Sequence, residues 1–334
     1  MNIKDLENAI SKYEYDLKSA ELKEDYMLCT HILKDILKLL KDNNEKGIYK
    51  EKINSYKRKF RGINKKSLDN FKDISFNTDV SNDEIEKFFN FFINENDFNK
   101  LLLKITNHFI VKNDEVIKQS NEQSPVFLHL CSLDVYDDEG NILRGGFDSE
   151  KFYYYHTYHL FQGLSDLNLS LIFEKLISTD IINFNKLINY FKDKINIFPT
   201  YQSYYKFSHG LKKFFEGDFI SSIHILVPLL EEVIIHISSM MNIDIIKLNN
   251  GKKISTNTKT LSSEIINNEV FMNKWGKDFS IQLDNVFFNE MGYKIRHLVA
   301  HGEIGYFECD FRKNILIIYF FISISNRVKI TYNN

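Results

Sequence analysis

The sequence predicts a mainly α protein: an antiparallel helical bundle at the C-terminus, preceded by a helical region that carries one small β-hairpin. Three observations lead there. Proline is scarce, at 3 of 334 residues, and glycine is modest at 13, so few positions break a helix. Apolar residues recur at three- and four-residue intervals through most of the chain. The exception follows Pro125, where two apolar-rich runs flank the turn-forming "DDEGN". A hydrophobic fraction of 43% supplies a sizeable core and excludes general disorder. Aromatics reach 14%, nearly all of them Phe (29) and Tyr (18).

Residues 1–122 form a first, helical region. "LCTHILKDILKLLKD" places Leu28, Ile32, Ile36, Leu39 and Leu40 on one face, with lysines and aspartates opposite. "SYKRKFRGINKK" (55–66) is the densest basic cluster, with Lys57, Arg58, Lys59, Arg61, Lys65 and Lys66 interleaved with Tyr56 and Phe60. Such a run reads first as a solvated helix end and only second as an RNA contact. "SNDEIEKFFNFFINEN" opens on an N-cap, Ser81 or Asn82, followed by acidic first-turn residues.

A second region, 123–200, holds the hairpin and further helices. Asp134, Asp137, Asp138 and Glu139 cluster there, but the distal glutamate of a calcium loop is missing, which leaves a plain turn. "SEKFYYYHTYHLFQGLSDLNLSLIFEKLI" (149–177) resumes helix. Its His156 and His159 have a spacing able to share a metal, yet there is no HExxH pattern and no nearby cysteine, so no metal is expected.

Pro199 marks the boundary with a third region, 201–334, the helical domain proper. Its first long helix, 217–241, is apolar nearly all round and should be buried, with Pro228 kinking it near His224. Glu231 and Glu232 follow one turn later. A second long helix is predicted over 280–301, with Gly302 as its C-cap.

Net charge is −2, which disfavours a protein that coats nucleic acid through phosphates. Cys29, Cys131 and Cys309 are odd in number and far apart, suggesting neither a disulfide framework nor a zinc site. The N-terminus lacks a signal-peptide core, and the apolar run 315–324 is too short to span a bilayer, so a cytoplasmic protein without membrane contact is expected.

The chemistry concentrates in "GYKIRHLVAHGEIG" (292–305). His297 and His301 lie about 40° apart on one helical face, with Arg296 beside them. His301 ends the helix, where free carbonyls stabilise an imidazolium. A titratable histidine can take a 2′-hydroxyl proton, and an arginine can stabilise charge on a phosphate, which is what metal-free RNA cleavage requires. A helix-capping histidine beside a solvent-facing arginine is the bland alternative.

"GDFISSIHILVPLLEEVI", followed some 60 residues later by "GYKIRHLVAHG", resembles a bacterial domain family with an RNxxxHG motif after an LVPxxE helix. That family is placed in the HEPN superfamily (higher eukaryotes and prokaryotes nucleotide-binding). Pro228, Glu231, Gly292, Arg296, His301 and Gly302 match in order, and weaker similarity includes the "DEGN" hairpin and "YYYHTYHLF". The resemblance implies a helical bundle that dimerises so that both motif helices meet in one cleft. It also implies a metal-independent endoribonuclease without cofactor, in antiphage defence or as a toxin with an antitoxin or defence-system partner protein. Other members of the superfamily only bind nucleotides or proteins. By resemblance, Arg296 and His301 are the catalytic pair, and Glu231 and His297 position them. The chain departs from the pattern where His297 replaces an asparagine, where Ile235 and His236 stand in place of a basic residue, and where Glu303 replaces a tyrosine.

Overall fold

The computed structural model describes residues 3–44, 47–68, 82–123, 133–136, 142–147, 149–243, 248–249, 252–253 and 266–328. It is mainly helical. Ser81, Cys131, the "DDEGN" turn and the side chains of Asp134, Asp137, Asp138 and Glu139 lie outside what is described.

The chain divides into two compact units, Met1–Asp79 with Pro125–Phe152, and Val80–Ser124 with Tyr153–Asn334. These units cut the chain differently from the 1–122, 123–200 and 201–334 division.

The first unit contains helices α1 (Ile3–Leu22), α2 (Tyr26–Asp42) and α3 (Lys50–Leu68). Leu6, Ile10, Leu17, Leu33, Ile36, Leu40, Ile53 and Ile63 form their shared core. The basic cluster of 55–66 rides on α3 with Tyr56 and Phe60 turned into that core. Its Lys59 meets Glu21 at 2.9 Å, and Lys66 sits 5.5 Å above the Tyr26 ring. The interleaved aromatics are therefore the packing side of an amphipathic helix. In the same unit the short strands β1 (Leu133–Tyr136) and β2 (Ile142–Phe147) pair antiparallel.

The second unit contains α4 (Asn82–Ile93), α5 (Phe98–His108), α6 (Asn113–Gln123), most of α7 (Ser149–Ser178), α8 (Phe184–Lys192), α9 (Tyr201–Phe215) and α10 (Phe219–Met240). A two-residue pairing of β3 (Leu248–Asn249) with β4 (Lys252–Lys253) follows. Then come α11 (Glu269–Trp275), α12 (Lys277–Phe287), α13 (Ile295–His301) and α14 (Phe311–Arg327). Side-chain oxygens cap several helices by accepting from backbone N–H groups: Asp97, Asn183, Thr200, Asp218, Asn268 and Asp310.

The centre of this unit is α14, in which every side chain from Asn314 to Ser325 is buried. It packs against α5, α9 and α10. Phe92, Leu101, Leu102, Ile105 and Phe109 share its core, which is why α4 and α5 belong with the C-terminal helices rather than with α1–α3. Pro199 separates helices but not cores, since Ile197 and Phe198 on one side and Phe207 on the other join the same cluster.

The apolar run 315–324 is thus the middle of an interior helix. Among the described residues α10 is the helix long and apolar enough to cross a membrane by length and composition; half of its apolar window is buried inside the fold. It runs continuously through Pro228.

One expectation is overturned. The single helix predicted over 280–301 is two helices, α12 and α13, separated by a tight loop at 288–294.

Phe207 is buried completely, with ring centroids 4.4 Å from Phe191, 5.2 Å from Phe198 and 4.8 Å from Phe321. Phe207→Ala is expected to cost about 3–5 kcal/mol through a cavity among these rings, measured by chemical denaturation.

Candidate functional site

The site begins with α10. Glu231 and Glu232 are neighbours and so point about 100° apart around the helix axis. Glu232 turns to α9, where it accepts from Ser203 Oγ at 2.7 Å and lies 3.6 Å from Lys206 Nζ. Glu231 turns to α13. There it accepts from Arg296 through Nε at 2.7 Å and Nη2 at 3.3 Å, a two-pronged ion pair. The two side chains retain only 20% and 17% of their exposure.

The loop that breaks the predicted helix fixes where Arg296 stands. Asp284 C=O accepts from both Phe288 N–H and Asn289 N–H, closing α12. Tyr293 N–H then returns to Asn285 C=O at 2.9 Å. A Cβ on Gly292 would lie 1.7 Å from that same carbonyl oxygen, so the chain can fold back this closely only at glycine. Lys294 enters the left-handed region at φ 44°, and α13 starts on the next residue. Gly302 closes α13 at φ 66°, its N–H reaching Leu298 C=O and Val299 C=O.

From the other side α7 holds the loop. His159 Nε2 lies 2.5 Å from Met291 C=O, Tyr155 Oη accepts from Asn289 Nδ2 at 3.3 Å, and Asp166 is hydrogen-bonded to Tyr293. His159 is therefore a loop anchor. Among the described residues no group of three His, Cys, Asp or Glu side chains could hold a metal.

Asp166 ends a buried polar chain. Gln282 Nε2 donates to Phe109 C=O and to Gln162 Oε1, and Gln162 Nε2 donates to Asp166 Oδ1 at 2.6 Å. Only 3% of Asp166 is exposed. Burial pushes its carboxyl up to about 7, against the opposing pull of the Gln162 and Tyr293 hydrogen bonds and the Arg312 charge. Burial likewise raises the Tyr293 phenol, with the Asp166 charge adding to it. Asp166 and Tyr293 line a cleft of about 320 Å3 with Gly163, Leu298 and Arg312.

The four residues singled out in the sequence fall into two pairs. Arg296 and Glu231 are one. The other is His297 and His301, whose rings are 4.4 Å apart with an interplanar angle of 46°. On a short helix the arginine points about 100–140° away from the histidines, so Arg296 faces α10 while His301 is exposed. His297 Nε2 also lies 3.6 Å from Glu303 Oε2, an ion pair when the imidazole is protonated. At the departures on α10, Ile235 packs against the core and His236 Nε2 lies 3.3 Å from Asn196 C=O.

Of the second layer the sequence singled out only His159, as half of a metal-type pair with His156; Tyr155, His159, Gln162 and Asp166 recur at four-, three- and four-residue steps along one face of α7. That polar stripe inside an apolar helix was the available signal. No family model, curated protein or solved structure matches this chain.

Two outcomes follow. Gly292→Ala should destabilise the protein by about 3 kcal/mol or displace α13, read by thermal melting. For Asp166, the folded carboxyl keeps its proton up to about 7, whereas the ordinary value is 3.8. The folded state binds more protons across that window, so its stability is fully present below the lower value and falls as pH rises through the upper one. Denaturation at several pH values should show this decline in the native protein and its loss in Asp166→Asn.

Proposed function

We propose that the chain is a metal-independent endoribonuclease of the HEPN type, working through a composite Arg/His site at a homodimer interface. The observation that carries this reading is the arrangement on α13: an arginine held by a carboxylate on one face, and two histidine rings in contact on another at an exposed helix end. His301 takes the proton from a 2′-hydroxyl as its oxygen attacks phosphorus. Arg296 stabilises the negative charge that builds on the phosphoryl oxygens. The P–O5′ bond then breaks, and the 5′-oxygen leaves with the proton that His301 took up, while His297 positions that ring. Products are a 2′,3′-cyclic phosphate and a 5′-hydroxyl. Glu231 orients Arg296. The resemblance to the RNxxxHG family supports the same reading, including a role in antiphage defence or as a toxin, with a protein partner that restrains it.

The two-pronged Glu231–Arg296 pair favours a second reading, in which the arginine is a tie between α10 and α13 and the module binds a nucleotide or protein without cleaving. Exposure separates the two, because His301 is exposed and contributes nothing to the tie.

His301→Ala should abolish RNA cleavage while leaving the melting temperature unchanged. Arg296→Ala should abolish cleavage and also cost about 2 kcal/mol, between the values for exposed and fully buried pairs. Activity should survive EDTA. Cleavage that persists in both variants, or that EDTA removes, would sink the endoribonuclease reading.

A further inference from the structure

Helix α7 is apolar on two opposite sides, and the fold covers one of them. Leu169, Ile172, Phe173 and Leu176 are buried in the main core. Leu160, Leu164, Leu167 and Leu171 are exposed by 48, 63, 39 and 41%. At 3.6 residues per turn these four lie within an arc of about 60°, on the side opposite the buried set. A surface helix ordinarily turns charge to water there. From Thr157 to Phe173 the only Asp, Glu, Lys or Arg is Asp166, which is buried on the inner side.

We propose that this leucine row is a self-association seam, paired antiparallel with the same row of a second copy. The spacing of four, three and four is that of the a and d positions of a two-stranded coiled coil. It also reads the same from either end. Two antiparallel copies therefore set Leu160 against Leu171 and Leu164 against Leu167, with a two-fold axis between the inner pairs, as a closed isologous contact requires.

The lack of charge along the row fits a copy of itself better than an acidic or basic partner, which would find nothing to pair with. Charge also selects the direction. Parallel pairing would bring Glu174 against Glu174 and Lys175 against Lys175, whereas antiparallel pairing carries both to the end near His156. With its flanks, such a contact would remove on the order of 1,000 Å2 over both copies, the scale at which a specific interface begins. The seam assigns the contact of the homodimer proposed above; a non-catalytic module would pair in the same way, so loss of the seam and loss of cleavage are read separately.

Sedimentation velocity of the full chain at micromolar concentration should show a dimer. Replacing Leu164→Glu together with Leu167→Glu should return it to monomer with unchanged far-ultraviolet circular dichroism, because both leucines are exposed within one copy. Direction is read by oxidation in a Cys131→Ser background, where Cys29 and Cys309 are buried. A mixture of Leu160→Cys and Leu171→Cys chains should form a disulfide-linked dimer that neither forms alone. A monomeric native protein, a dimer indifferent to the paired glutamates, or cross-linking of Leu160→Cys with itself would each overturn the proposal.

Discussion

The second unit is organised by the need to enclose α14. A helix that is apolar all round has no face to give to water, so other elements must close on it from every side. Here α5, α9 and α10 do so. Apolar contact alone would not set their depth or rotation. That is done by those polar groups on α14 that find partners once buried. Asn314 Nδ2 donates to Phe219 C=O at the start of α10, Tyr319 Oη donates to Thr106 C=O on α5, and Tyr190 on α8 joins Ser325 and Asn326. At the far end Arg327 donates to Trp275 C=O and lies over the Phe279 ring, tying α11 and α12 to the same axis.

The candidate site is a consequence of that enclosure. Once α10 is rotated to bury Leu226, Leu230, Val233 and Ile237, its adjacent glutamates have no choice of direction, and one meets α9 while the other meets α13. The loop 288–294 then sets α13 at a fixed register against α10. Two restraints act on that loop from opposite sides: the contact of Gly292 with the Asn285 carbonyl, and the polar stripe of α7. Arg296 is positioned by backbone closure and a carboxylate together, which gives a long side chain one orientation.

Much of this was legible in the residues. The periodicity of α2, the apolar run of α10, the helix over 149–177 and the cap at Gly302 depend on local composition, spacing and backbone preference, which a linear pattern carries. Arg296, His297, His301 and Glu231 were all identified from sequence, and the structure places them as two adjoining pairs rather than one cluster. The break between α12 and α13 was not legible, because apolar spacing continues smoothly across Phe288 to Lys294. Gly292 is an ordinary weak breaker until a neighbouring carbonyl occupies the space of its missing Cβ. Likewise Asp166 is one acid among 45 Asp and Glu until burial removes its water.

By itself the sequence determined the helical character of the chain, the apolar nature of α10 and α14, and the residue types able to do acid–base and phosphate chemistry. These follow from side-chain period and proton affinity, which each residue carries with it. Tertiary structure decided which helices share a core, that α4 and α5 belong with the C-terminal helices, and that Arg296 turns to Glu231 while the histidines turn away. Those outcomes rest on close approach between residues distant in the chain. Only the packed interior, by excluding water and leaving no room for a single extra carbon, could select them.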